Sequence, residues 1–404
     1  MPQYLAPGVY VEEVPVSPPI AGVGTSTAGF IGAVTVKPPA DGEPAPPPLM
    51  PYKPGRPEDP DNPKPEDRYE LVGENDAQRI TSWDQFKTKF GDFHQANLTL
   101  AHAVYGFFNN GGTACYVTRV NDAGDATAVG EALKQFEAID EIAIVAVPGA
   151  LAQTVQLAVI EHCERMRDRF AILDGQETTT ITPSAIQGPL RDSEYAALYY
   201  PRLNVFDPVS GKQLAVHPSG HMAGIYARVD AQRGVHKAPA NEIVRGALSL
   251  AYLVSRNEQQ ELNREGINVI RSFNGNILVW GARTLGGDAN EAAGKVKYIN
   301  VRRLLNFMRE SIDEGTQFAV FEPNAQPLWQ RITRSTTAFL TNIWRDGALF
   351  GTTPEQAFYV RCDESTNPPD VRALGQVVTE IGVAIVKPAE FVIFRISQIA
   401  GPAS

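Results

Sequence analysis

The stretch IAIVAVPGALAQTVQLAVIEHCERMRDRFAILDG (residues 142–175) decides the fold. It opens on a continuous apolar run, Ile142 to Val147, that stops at Pro148-Gly149. A long helical segment, Ala150 to Asp168, follows, then a second apolar run, Phe170 to Leu173, closed by Asp174-Gly175. Short runs of this kind, bounded by turn signals and separated by a helix-length segment, read as buried strands flanking a helix. The same alternation spreads outward. On the N-terminal side, Ser82 caps a helix carrying Trp83, Phe86 and Phe90. A helix over Thr99–Asn109 ends at Gly111-Gly112, Cys115–Val120 reads as a strand, and Glu131–Phe136 as a helix. On the C-terminal side come a strand over Ala197–Phe206, a helix over 242–256 and a strand over Ile277–Gly281. The fold class is α/β, with a largely buried sheet.

From about Ala289 the pattern changes. Val301, Leu304, Leu305, Met308 and Ile312 mark one face of a helix, with Arg302, Arg303 and Arg309 on its other faces. A second helix, begun near Asn324 and Pro327, packs Leu328, Ile332, Phe339, Leu340 and Ile343 and stops at Gly347. Strands over Phe358–Cys362, Val377–Val386 and Phe391–Ser397 follow, so this part is α+β. At the other end, the segment around Val9, Tyr10, Val11 and Glu12 lies between Pro7 and Pro15 and reads as a short edge strand. Such a strand must pair with a distant sheet or with another molecule. The organisation expected is therefore an N-terminal arm (1–21), an α/β domain (22–288), a C-terminal domain (289–387) and a C-terminal arm (388–404). Residues 37–70, with 12 of the 31 prolines and 8 acidic side chains, read as a solvated insert loop.

Composition excludes several function classes. A net charge of −10 on 404 residues argues against a nucleic-acid binder, which needs a basic stripe. Residues 1–288 carry all of that charge, and 289–404 balance 12 basic against 12 acidic groups. No run approaches the ~20 apolar residues of a membrane span, so direct membrane insertion is not expected. The N-terminus does not read as a signal peptide. Cys115, Cys163 and Cys362 are too far apart for a zinc or disulfide motif. Gly22, Gly24 and Gly29 offer a weak dinucleotide-loop likeness, which leaves a cytoplasmic nucleotide-binding α/β enzyme as the alternative function. His217 and His221 are spaced four apart, but Pro218 and Gly220 oppose the helix a metal site would need. With no GxSxG elbow, no catalytic constellation forms, and no cofactor is expected.

Several long stretches carry a family resemblance. PGVYVEEVP (7–15), GVGTSTAGFIG (22–32), GHMAGIYARVDAQRGVHKAPAN (220–241), VWGARTL (279–285), YINVRR (298–303), QFAVFEPN (317–324), WRDGAL (344–349), FYVRCDESTNPP (358–369) and KPAEFVIFR (387–395) occur in that order. The chain resembles the sheath protein of contractile phage tails and related contractile injection systems; the 220–241 stretch is expected to be a loop. The resemblance implies a structural protein rather than an enzyme. It would be a homo-oligomer of stacked six-fold rings forming a helical sheath around an inner tube. It also implies contraction from a metastable extended state, with arms that add strands to neighbouring subunits: Val9, Tyr10, Val11 and Glu12 at one end, Phe391, Val392, Ile393, Phe394 and Arg395 at the other. Arg302, Arg303 and Arg309 become candidates for contact with an acidic tube. Implied partners are the inner tube protein, baseplate and terminal cap proteins, with sheath paralogues as further candidates. The implied setting is assembly in a bacterial cytoplasm, as part of a phage tail or of a released or anchored injection particle.

Overall fold

The computed structural model describes residues 19–35, 48–53 and 67–393. Val9, Tyr10, Val11 and Glu12, together with Phe394 and Arg395, lie outside them. The described chain falls into two compact units. Residues 23–309 and the stretch from Val386 onward form the larger; residues 310–385 and the segment ending at Gly22 form the smaller. The change of sequence pattern places a border near residue 289, whereas the units divide inside the helix Ile299–Gly315.

In the larger unit the strands are β1 (Ala28–Ala33), β2 (Gln78–Ile80), β3 (Cys115–Val120), β4 (Ile144–Ala146), β5 (Phe170–Asp174), β6 (Ala196–Tyr200), β7 (Leu203–Asp207), β8 (Lys212–Val216), β9 (Ala247–Leu250), β10 (Ile267–Phe273) and β11 (Asn276–Val279). Eight of them make one sheet in the order β11-β10-β6-β5-β4-β1-β3-β2. Its six central strands run parallel, and β2 and β11 close the two edges antiparallel. Burial explains the apolar runs: β4, β5 and β6 are buried at every position, as expected for strands covered on both faces. One face packs on helices Leu98–Asn109 and Ser219–Arg233 through Leu100, Val104, Phe107, Met222 and Tyr226. The other packs on helices Ala126–Glu137 and Gln153–Met166 through Leu133, Phe136, Val155 and Ile160.

Three local expectations are corrected. The expected strand over Ala197–Phe206 is two strands in two sheets: Pro201 cannot donate to a ladder, and β7 after it joins β8 and β9 in an antiparallel sheet, order β8-β7-β9. The expected helix over 242–256 is instead β9 with its flanks. Gly246 turns the chain at φ +82° and β9 pairs with β7. The 220–241 loop is mostly helix. A Cβ on Gly220 or Gly224 would lie 2.4 or 2.3 Å from the carbonyl oxygens of Ala103 and Phe107, so these glycines let two helices approach closely rather than breaking one.

The smaller unit is built on the helix Gln326–Arg345, which has Pro327 in its first turn. It packs Leu328, Trp329 and Ile332 against Cys362 and Phe318. The two strands β12 (Phe358–Arg361) and β13 (Glu380–Val383) pair antiparallel, Phe358 opposite Val383 and Arg361 opposite Glu380. Asn324 does not cap the helix with its side chain. It receives the Trp329 indole N–H at 2.8 Å and donates to the Gln376 carbonyl at 2.7 Å. Ile20 is buried here against Gly315, where a Cβ would meet it at 2.7 Å, so the N-terminal segment is seated on this unit.

Candidate assembly interface

A two-stranded sheet is marginal by itself. Among the described residues β12 and β13 have only each other as strand partners; an isolated bridge, Leu349 to Ile385, extends the β13 side. The pair is held by side chains. The Tyr359 ring lies over Gly382, where a Cβ would be 2.1 Å from it, and the Tyr359 hydroxyl donates to Glu380 at 3.0 Å. Arg361 pairs with the same carboxylate. Asn367, fully buried, fixes the return of the chain. Its amide donates to the Val378 carbonyl at 3.0 Å, and its oxygen receives the Val378 N–H at 2.7 Å. Sequence reading missed Asn367; its signal is a lone Asn before Pro368-Pro369 between two strand signals. Beside β12 runs an open groove of about 910 Å³, lined by Trp329, Thr333, Arg334, Val360, Arg361 and Asp363 among others.

The larger unit contributes the base of the C-terminal segment. Glu390 accepts from Arg283 Nε at 2.8 Å and Nη2 at 2.9 Å, from Asn263 at 2.7 Å and from the Tyr298 hydroxyl at 3.0 Å. Its carboxyl is pushed up by desolvation and down by these donors and the Arg283 charge, and comes out below the ordinary range. Immediately beyond, Phe391, Val392 and Ile393 are 71%, 71% and 78% exposed and, among the described residues, belong to no strand.

The three arginines separate. Arg303 is corrected as a surface contact. It is 4% exposed, forks onto Asp230 at 2.9 and 2.6 Å, donates to the Thr25 carbonyl at 2.9 Å and lies over the Tyr226 ring. Position 303 faces inward because its helix turns that face onto the sheet-packing helix carrying Tyr226 and Asp230. Arg302 is mostly covered, 3.2 Å from Glu194 and over the Tyr195 ring. Arg309 is exposed.

The other candidate chemistry is used structurally. Gly22 and Gly24 lie just before β1 and, among the described residues, follow no strand. Gly29 lies inside β1, where a Cβ would sit 2.7 Å from the Phe136 ring, so the glycine serves helix packing and not a phosphate. His221 is buried in the helix Ser219–Arg233, and its imidazole is pushed down to about 4 by burial and by His102. His217 faces Glu177 at 3.7 Å. Burial drives the Cys115 and Cys163 thiols well above their ordinary range, away from reactivity. Among the described residues, no helix is long and apolar enough to cross a membrane.

Comparison with known proteins agrees with this architecture. Residues 121–285 match the phage tail sheath protein central domain, and residues 291–399 match the phage tail sheath C-terminal domain. The sheath of an extracellular contractile injection system, the PVC sheath complex in its contracted state, superposes with a TM-score of 0.75 at 30% identity, over 98% of this chain and 99% of that one. The tail sheath protein of Vibrio phage KVP40 is 28% identical over 193 residues, 47% of this chain. A major tail sheath protein of a Pseudomonas aeruginosa prophage is 25% identical over 255 residues, 62% of this chain. The matched stretch spans 27% of the phage protein and 63% of the prophage protein. Two sheath domains matched in order, and near-complete superposition on a sheath subunit, place the chain in the contractile tail sheath family.

Proposed function

We propose that this chain is the structural subunit of a contractile sheath, with no catalytic role. Copies stack as six-fold rings around an inner tube, between a baseplate and a terminal cap. The lattice contracts from a metastable extended state to drive the tube through a target envelope. Assembly takes place in a bacterial cytoplasm, for a phage tail or an injection particle.

The observation that carries this reading is the presence, among the described residues of one chain, of a sheet of only two strands and of an exposed apolar segment without a strand partner. Among the described residues, the edges of β12–β13 have no strand partner beyond the Leu349–Ile385 bridge, and Phe391, Val392 and Ile393 leave the larger unit exposed. Three consecutive exposed apolar residues are costly in water. Laid on the open edge of another copy, with Phe394 and Arg395, they would complete ladder hydrogen bonds and bury apolar surface worth ~25 cal/mol per Å². The N-terminal strand around Val9, Tyr10, Val11 and Glu12 would take the remaining edge. Donation to a neighbour rather than to the donor itself is a head-to-tail contact, which builds an open helix where its rotation does not close. Of the basic candidates, exposed Arg309 is best placed to meet an acidic tube, with Arg302 second.

Negative-stain microscopy of the purified protein tests the assembly. The expected result is long tubes. A small oligomer of uniform size would refute the reading.

A further inference from the structure

We propose that Glu390 is the fixed point of the C-terminal arm, clamping the chain to the larger unit so that the length free to reach a neighbour begins at Phe391. This rests on the strand exchange proposed above. Surface ion pairs are commonly worth little, but this one has a different construction. Both carboxylate oxygens of Glu390 accept two donors each: Arg283 Nε and Asn263 on one, Arg283 Nη2 and Tyr298 on the other. The fork is bidentate, which fixes direction as well as distance. Arg283 is itself nearly buried and held from behind, its Nη1 donating to the Asn263 carbonyl at 2.9 Å and to Asp288 at 3.0 Å.

The clamp is also wired into the sheet. The Arg283 N–H donates to the Asn268 side-chain oxygen at 2.8 Å, and its carbonyl receives the Asn268 amide at 2.8 Å. Asn268 sits buried in β10 and also donates to the Leu198 carbonyl of β6 at 3.2 Å. A pull on the arm would therefore be carried by two central strands. The change from full coordination at Glu390 to open exposure at Phe391 takes place within one residue. The linkage between body and donated strand is then nearly slack-free, so movement of one copy is passed to the next.

Placement of added slack tests this directly in the full chain. A Gly-Ser-Gly insert between Pro388 and Ala389 lies on the body side of the clamp. The same insert between Glu390 and Phe391 lies beyond it and adds up to about 10 Å of reach. Effective concentration falls roughly as the −3/2 power of linker length, so lengthening from one residue to four costs about eightfold per linkage. Tube yield is measured by pelleting and negative stain, with circular dichroism confirming that each variant is folded. The first insert is expected to keep yield within about twofold of wild type, and the second to lower it by about eightfold or more. In a Glu390→Ala background the two inserts should become equivalent. A chain ending at Glu390 should form no tubes; if it does, the strand exchange and the clamp both fall. If it forms none and the two inserts in the wild-type background reduce yield equally, the exchange stands and the clamp is overturned.

Discussion

Arg303 and Asp230 show how a surface-seeming residue can be structural. The helix beginning at Ile299 carries arginines on several faces, and periodicity alone cannot say which face meets protein. The structure puts Arg303 against Asp230, Thr25 and Tyr226 with every contact internal. Removing one partner of a buried pair leaves the other uncompensated, so Arg303→Met should lower unfolding free energy by about 3–5 kcal/mol in urea titration. Arg309→Met, on an exposed position, should leave it unchanged. Protonation gives a second residue-scale expectation. Burial holds both His162 and His221 down to about 4, the former helped by the charges of Arg169 and Arg165 and the latter by His102. Both bind a proton more readily unfolded, so stability is full above about pH 6.5 and falls as pH drops toward 4. The thermal midpoint should decline across that window, and His221→Gln should flatten the decline. A midpoint independent of pH between 7 and 4 would contradict the burial assigned to these rings.

Among the elements, the strand–helix–strand stretch 142–175 was legible because each piece is uniformly apolar or clearly helical, and its strands are buried on both faces. The region 242–256 was not. Its apolar positions Ile243, Leu248, Leu250 and Val254 suit either period, and the deciding features are the turn at Gly246 and the offer of an edge by β7, which lies far away in sequence. The helix in 220–241, a stretch the resemblance implies to be a loop, was hidden for a related reason, since the close helix crossing that Gly220 and Gly224 allow cannot be seen in one helix alone. The helix Arg256–Arg264 gives a clean test of local chemistry. Ser255 accepts the Glu258 N–H at 3.3 Å while the Glu258 carboxylate accepts the Ser255 N–H at 2.7 Å, a reciprocal cap. Ser255→Ala should cost about 0.5–2 kcal/mol by denaturant melting. An unchanged midpoint would mean that the packing of Leu262 alone holds the helix.

The molecule as a whole joins a unit with a large sheet to one whose described residues form only a small sheet. The larger has an eight-stranded sheet with helices packed on each face and a separate three-stranded sheet; the smaller has, among the described residues, a two-stranded sheet packed on one long helix. The N-terminal segment is seated on the smaller unit at Ile20, and the C-terminal segment on the larger at Glu390. Each end is thus anchored at its base. The sequence reading expects arms at both ends; the seats at Ile20 and Glu390 depend on partners from distant segments and were invisible in it. The central claim is that the ends complete the sheets of other copies. A helical reconstruction of assembled tubes by electron cryo-microscopy measures this directly. Density for residues 391–395 paired along β12–β13 of a different copy, with residues 9–12 of another copy on the remaining edge, is the result predicted. Both ends paired within their own chain, with the β12 and β13 edges left open in the tube, would contradict it.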